Sequence, residues 1–119
     1  MVRVGVDTQK YNGPILWLDD IREPWKHGFL GAVWAKTAKE AIEILKTGTI
    51  AFASLDHDLA WEHYPETGTN PKDYREQTGY DVICWMEEHN VWPALGVECH
   101  SMNPVGRAKI QMVIDRHYR

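Results

Sequence analysis

Long apolar runs are missing from this sequence. The longest uninterrupted stretches are only a few residues, far below the ~20 needed to span a bilayer, so no membrane partner is expected. Met1 to Lys10 alternates polar and apolar residues where a signal peptide would carry a continuous apolar core, and the expectation is a soluble, cytoplasmic protein. Excess positive charge is absent as well. Thirteen basic against seventeen acidic side chains give a formal net charge of -4, which argues against duplex DNA as a partner while leaving room for a local basic pocket. Cysteine is scarce: Cys84 and Cys99 sit in apolar stretches without metal-type spacing and read as small buried hydrophobes. There is no internal repeat and no linker, and 119 residues against the ~150 of a typical domain leave one domain, 1–119. What the chain does have is an ordinary globular balance, 44% apolar and 25% charged, and six tryptophans. Trp17, Trp34 and Trp85 fall in core-like patterns, which leaves Trp25, Trp61 and Trp92 as a possible contact surface.

Apolar runs that end in polar groups organise the rest. Pro14 to Asp19 reads as a buried strand emerging into two carboxylates, Asp19 and Asp20. Ala32 to Ala35 is a second strand. Thr37 followed by Glu40 is a capping-box pattern opening a helix with Ala38, Ala41, Ile42 and Leu45 inside, ended by Gly48. Ile50 to Leu55 is a third strand ending in Asp56-His57-Asp58. Trp61 to Thr78 is polar and carries prolines and Gly68, the composition of a long functional loop or lid. Gly79 starts a helix with Val82, Ile83 and Met86 inward, and Leu95 to Cys99 is a strand ending in His100-Ser101. Asn103 as cap and Pro104 at the first position open a last helix toward His117, with Val105, Ala108, Met112 and Val113 expected in the core. The alternating stretch Val2 to Val6 adds a possible edge strand. This order predicts an α/β sandwich around a mainly parallel sheet of four to five strands, whose carboxyl ends deliver Asp19, Asp20, Asp56, His57, Asp58, His100 and Ser101 to one rim.

Clustered carboxylates repel unless a cation or protons neutralise them, so Asp19, Asp20 and Asp56 are expected to hold a hard divalent ion, Mg2+ or Mn2+. The plainer reading of any one of them is a helix cap or an ion pair with Arg22. His57 and His100 directly follow core strands and are placed to ligate a softer metal or to move a proton at a phosphate ester; a lone histidine at a strand end is more often structural, and His27, His63, His89 and His117 are read that way. Asp58 either orients His57 or is a further ligand. Ser101, Asn103 and Arg107 surround a helix amino terminus, whose N–H groups attract anions, and are expected to bind phosphate. In structural terms Asn103 and Pro104 need only start a helix, and Gly106 only permit close packing.

Four motifs carry a resemblance: Leu18-Asp19-Asp20-Ile21-Arg22-Glu23-Pro24, Ser54-Leu55-Asp56-His57-Asp58-Leu59, Gly79-Tyr80-Asp81, and His100 through Arg107. Together, and in this order, the chain resembles the cyclic-phosphate processing receiver domain family, an offshoot of response-regulator receivers, from about Pro14 to the last helix. The resemblance implies a flavodoxin-like, receiver-like three-layer sandwich and processing of cyclic phosphates on nucleotides or RNA ends, and with the ion expected at Asp19, Asp20 and Asp56 the leading expectation is a metal-dependent phosphodiesterase. Lys109 falls inside the last helix rather than ending a fifth strand, which sets the chain apart from phosphorelay receivers. The alternatives are a receiver-like sensor or phosphoacceptor module, with Asp56 taking the phosphoryl group, and an interaction protein using the open tryptophans.

Overall fold

The computed structural model describes residues 13–118, and the possible edge strand at Val2 to Val6 lies outside them. Four short strands, β1 (Ile15–Leu18), β2 (Val33–Ala35), β3 (Phe52–Leu55) and β4 (Val97–Cys99), form one all-parallel sheet in the order β2-β1-β3-β4. The helices are α1 (Ala38–Leu45), α2 (Gly79–His89) and α3 (Pro104–His117). This is the flavodoxin-like strand order taken through its fourth strand. Among the described residues there is no fifth strand, and Lys109 lies within α3.

Every residue of β1 and β3 is buried, because these central strands are covered on both faces. Strand alternation sorts their side chains. Leu16, Leu18, Ala53, Leu55 and Val97 share one apolar cluster with Ala38, Ala41 and Leu45 of α1, Val82, Ile83 and Met86 of α2, and Ile110 and Val113 of α3. Out of phase with these, Trp17, Ser54 and Glu98 stand side by side in the parallel register. On that opposite face Trp17 packs against His27, Phe29 and His100.

The helix starts follow the sequence signals. Thr37 Oγ1 accepts from the Glu40 N–H at 3.1 Å, while Glu40 reaches one residue further back than a capping box requires, to the Lys36 N–H at 2.8 Å. Asn103 Oδ1 caps α3 by accepting from the Val105 and Gly106 N–H groups at 3.1 and 3.2 Å.

The inner face of α3 differs from expectation. Val105 and Met112 are 68% and 54% exposed and Ala108 is exposed, whereas Gly106, Ile110, Val113 and Ile114 are buried. The cause is Gly106: a Cβ there would overlap the His57 ring, so the helix docks on the stripe that begins with its one residue lacking a side chain. Counting apolar residues alone placed the stripe a turn-fraction away.

Candidate functional site

The sheet ladder continues one residue past three strands. The Asp19 N–H donates to Ala35 O at 3.0 Å, Asp56 N–H to Leu18 O at 3.0 Å, and His100 N–H to Leu55 O at 2.9 Å. Each lies two residues beyond a member of the Trp17, Ser54, Glu98 row, so alternation sets all three on that face. One carboxylate oxygen from Asp19, one from Asp56 and one nitrogen of His100 lie within 4.8 Å of one another. Adjacent strand residues point apart, and Asp20 and His57 accordingly leave this group. His57 packs against Gly106, and both Asp20 oxygens accept from the Tyr64 hydroxyl at 3.0 Å. The geometry thus joins Asp19 and Asp56 as expected, substitutes His100 for Asp20 in the group, and gives Asp20 a different partner.

The carboxylates are unequal. Asp19 is 1% exposed, and its Oδ1 accepts from the Ile21 and Arg22 N–H groups at 2.9 and 2.7 Å, its Oδ2 from Arg22 Nε at 2.9 Å and from His100 Nε2 at 3.0 Å. Burial alone would raise its carboxyl; these hydrogen bonds and the Arg22 charge outweigh burial and hold it down at about 2. Asp56 has less support: Oδ1 accepts from the His57 N–H at 2.9 Å, and Oδ2 stands 3.3 Å from Arg22 Nη2. Burial, then the Asp19 charge, push its carboxyl up against the pull of His100 and Arg22. Burial likewise raises Asp20 despite the Tyr64 bond. The ion pair with Arg22 therefore forms, and it spans both carboxylates.

His100 is held from behind. Its ring stacks on Trp17 with centroids 3.9 Å apart and planes 3° from parallel. Ser54 Oγ is 2.6 Å from Glu98 Oε2 and 2.7 Å from His100 Nδ1. A carboxylate only accepts, so assigning the network gives the hydroxyl proton to Glu98 and leaves Oγ to accept from Nδ1–H. The Nε2 atom is thereby aimed at Asp19, to which it donates while protonated and beside which it would ligate a cation once that proton had left. Sequence reasoning missed Ser54 and Glu98; the available signal was the period of two, since each precedes a candidate ligand by two positions on its own strand.

A second group stands on the helix side. Asp58 Oδ1 accepts from His57 Nδ1 at 2.7 Å and from Asn103 Nδ2 at 3.1 Å, so Asp58 orients His57. Two cavities meet at Asn103. An acidic one of about 440 Å³ is lined by Asp19, Arg22, Asp56, Asp58, Tyr64, Met102, Asn103 and Pro104 among others, and one of about 500 Å³ by His57, Tyr74, Arg75, Tyr80, Asn103, Gly106 and Lys109 among others. Ser101 is buried, its Oγ accepting from the Asn103 N–H at 3.1 Å. Arg107 is exposed and lines neither cavity.

The segment from Trp61 to Thr78 folds as three short turns, Trp61–His63, Pro65–Thr67 and Pro71–Asp73. Tyr64 and Glu66 bring it over the acidic cavity. His63 anchors it, with Nδ1 accepting from the Leu59 N–H at 2.9 Å and Nε2 donating to Glu76 O at 2.7 Å. Of the open tryptophans, Trp92 is stacked on His117 at 3.9 Å and belongs to packing, whereas Trp25 and Trp61 are 50% and 75% exposed. Cys84 and Cys99 are half-buried rather than fully enclosed as expected, and burial raises both thiols, Cys99 to about 11, which disfavours the thiolate.

A parallel sheet in this strand order, with aspartates closing β1 and β3 at its carboxyl edge, defines a receiver-like α/β domain. The model of the Cyclic-phosphate processing Receiver domain matches residues 15–116, and the chain belongs to that family. No curated protein and no solved structure matches it. Among the described residues no helix is long and apolar enough to cross a membrane.

Proposed function

We propose that this protein is a metal-dependent phosphodiesterase that opens cyclic phosphates on nucleotides or RNA ends. The observation that carries the reading is the convergence of Asp19, Asp56 and His100 donor atoms within 4.8 Å, two of which, Asp19 and Asp56, line a cavity shared with Asn103 and Pro104 at the start of α3. The donor set fits a divalent cation. Two carboxylate oxygens suit magnesium or manganese, and the imidazole moves the preference toward manganese. Asp19, held at about 2, is ionised at working pH, and the Ser54–Glu98 pair behind His100 is the kind of support that orients metal-binding histidines. When bound, the ion supplies Lewis-acid polarisation of a phosphoryl oxygen and acidifies the attacking water.

The chain's own groups do the rest. Arg22 neutralises Asp19 and Asp56 in the free protein; were these carboxylates to hold a cation instead, the guanidinium at the cavity wall would be available to phosphate oxygens. The start of α3 adds its partial positive charge at Asn103 and Pro104. His57 donates Nδ1–H to Asp58, and among the described residues its Nε2 has no hydrogen-bond partner and is not buried without one. With both ring nitrogens protonated, that nitrogen would donate its proton to the leaving sugar oxygen as water adds to phosphorus and one ring P–O bond breaks, and the proton released by the water would return the ring to its starting form. With manganese present, His57→Ala should lower turnover of a 2′,3′-cyclic nucleotide by ~10²–10⁴-fold with little change in KM. A stable aspartyl phosphate on Asp56 after a small phosphodonor, without turnover, would support the phosphoacceptor module instead.

A further inference from the structure

We infer that the larger cavity, beside the acidic one, is a subsite for the base and sugar of a nucleoside whose phosphate lies at the acidic cavity. This rests on the reading of the acidic cavity as a phosphate site, which it extends by naming what the phosphate is attached to. Three observations carry it. The two cavities share Asn103 as a wall, so one small molecule can occupy both. The larger, about 500 Å³, falls within the ~300–1,000 Å³ of small-ligand sites. Its wall carries the chemistry that recognises a base: the rings of Tyr74 and Tyr80, with Arg75 and Lys109 beside them. Tyr74 is a prepared platform, because its ring lies 4.6 Å from that of His63, which is fixed through both nitrogens. Lys109 Nζ stands 5.5 Å from the Tyr80 ring centre.

The placement of His57 gives the subsite its direction. His57 lines the larger cavity, not the acidic one. A proton donor must face the oxygen that leaves, and in a cyclic nucleotide that oxygen belongs to the sugar. The nucleoside therefore lies on the His57 side, with the phosphate over the Asp58 and Asn103 ridge. On the acidic side the wall is carboxylates, Arg22, Ile21, Met102, Pro104 and Tyr64, and the one aromatic ring among them, Tyr64, is engaged with Asp20.

The test is binding of four probes to the metal-free and manganese-loaded protein by calorimetry, and to the metal-free protein also by NMR of the tyrosine rings: adenosine, adenosine 2′,3′-cyclic phosphate, a trinucleotide ending in a 2′,3′-cyclic phosphate, and base-free glycerol 1,2-cyclic phosphate. Adenosine should bind the metal-free protein and shift the Tyr74 and Tyr80 resonances. Tyr74→Ala should weaken adenosine and adenosine 2′,3′-cyclic phosphate by about 5- to 100-fold while sparing the glycerol compound, and Tyr74→Phe should restore both. The trinucleotide should match the mononucleotide, since the cavity holds one base. If adenosine 2′,3′-cyclic phosphate binds no better than the glycerol compound and adenosine does not bind, the subsite is overturned while the phosphate site stands. Affinity that grows with added nucleotides and ignores Tyr74→Ala also overturns it. Adenosine binding at Tyr74 with no affinity for either cyclic phosphate would sustain the subsite and remove the phosphate reading.

Discussion

Asp19 and Asp56 follow neighbouring strands and share Arg22, yet their Asp→Asn variants should change stability in opposite directions. Asp19 sits at about 2 against an ordinary 3.8; at ~1.4 kcal/mol per pH unit its ionised form stabilises the fold by about 2 kcal/mol at neutral pH. Asparagine loses that contribution and turns an amide toward the Arg22 or His100 donors that now bond Oδ2, for a total of about 2–4 kcal/mol. In a domain of this size that lowers Tm by roughly 10 °C. A depressed carboxyl stabilises fully above its unfolded value and loses the effect as pH falls through the folded one. The gap between wild type and Asp19→Asn should therefore close from pH 3.8 down through about 2.

Asp56 has the reverse sign. Its carboxyl is raised, chiefly by burial, so its favourable contribution is present below 3.8 and is lost as pH rises through the folded value. At neutral pH the buried charge is a burden that Asp56→Asn removes, while Oδ1 still accepts from the His57 N–H; what is lost is the 3.3 Å contact to Arg22. The variant should be as stable as wild type or up to about 1 kcal/mol more stable at pH 7, with the difference vanishing in acid. Urea unfolding followed by tryptophan fluorescence, on metal-free protein between pH 2 and 7, measures both. Equal destabilisation by the two variants, or an Asp19→Asn cost that ignores pH, would refute this account of the cluster.

Gly106→Ala should cost about 1–3 kcal/mol and disturb the His57–Asp58 pair, because the added methyl overlaps the His57 ring; unfolding curves and histidine NMR read the two effects. Ser54→Ala removes the group behind His100 Nδ1 and should weaken manganese binding ~10- to 100-fold by calorimetry; unchanged affinity would separate Ser54 from the site. Ile110→Ala should cost about 2–5 kcal/mol and Met112→Ala under ~0.5, since the first is fully buried and the second 54% exposed; comparable losses would mean that α3 docks on another face.

The apolar runs around Leu16, Ala53 and Val97 and the caps at Thr37 and Asn103 were legible because each is a local signal. So was the rim: aspartates and a histidine at strand ends identify the carboxyl edge of a parallel sheet. Which of them meet was not legible. Asp19 and Asp20 are neighbours in sequence but diverge in space, and the third member of the cluster, His100, arrives from a strand 81 positions away in the chain. Ser54 and Glu98 become neighbours only through the β3–β4 register, which no local pattern encodes. The buried stripe of α3 depends on one contact between Gly106 and His57, and helical periodicity alone cannot rank it against Val105 and Met112.

The most direct measurement is a time course of a 2′,3′-cyclic nucleotide with the purified protein, with manganese and with EDTA from the start, alongside Asp56→Asn, each aliquot quenched and freed of manganese by chelation before 31P NMR. The account predicts that the cyclic resonance gives way to that of an acyclic phosphomonoester, that EDTA stops the conversion, and that Asp56→Asn, though folded, does not convert the substrate. A cyclic resonance that persists with manganese-loaded wild type, or a conversion that proceeds equally in EDTA and in Asp56→Asn, would contradict it.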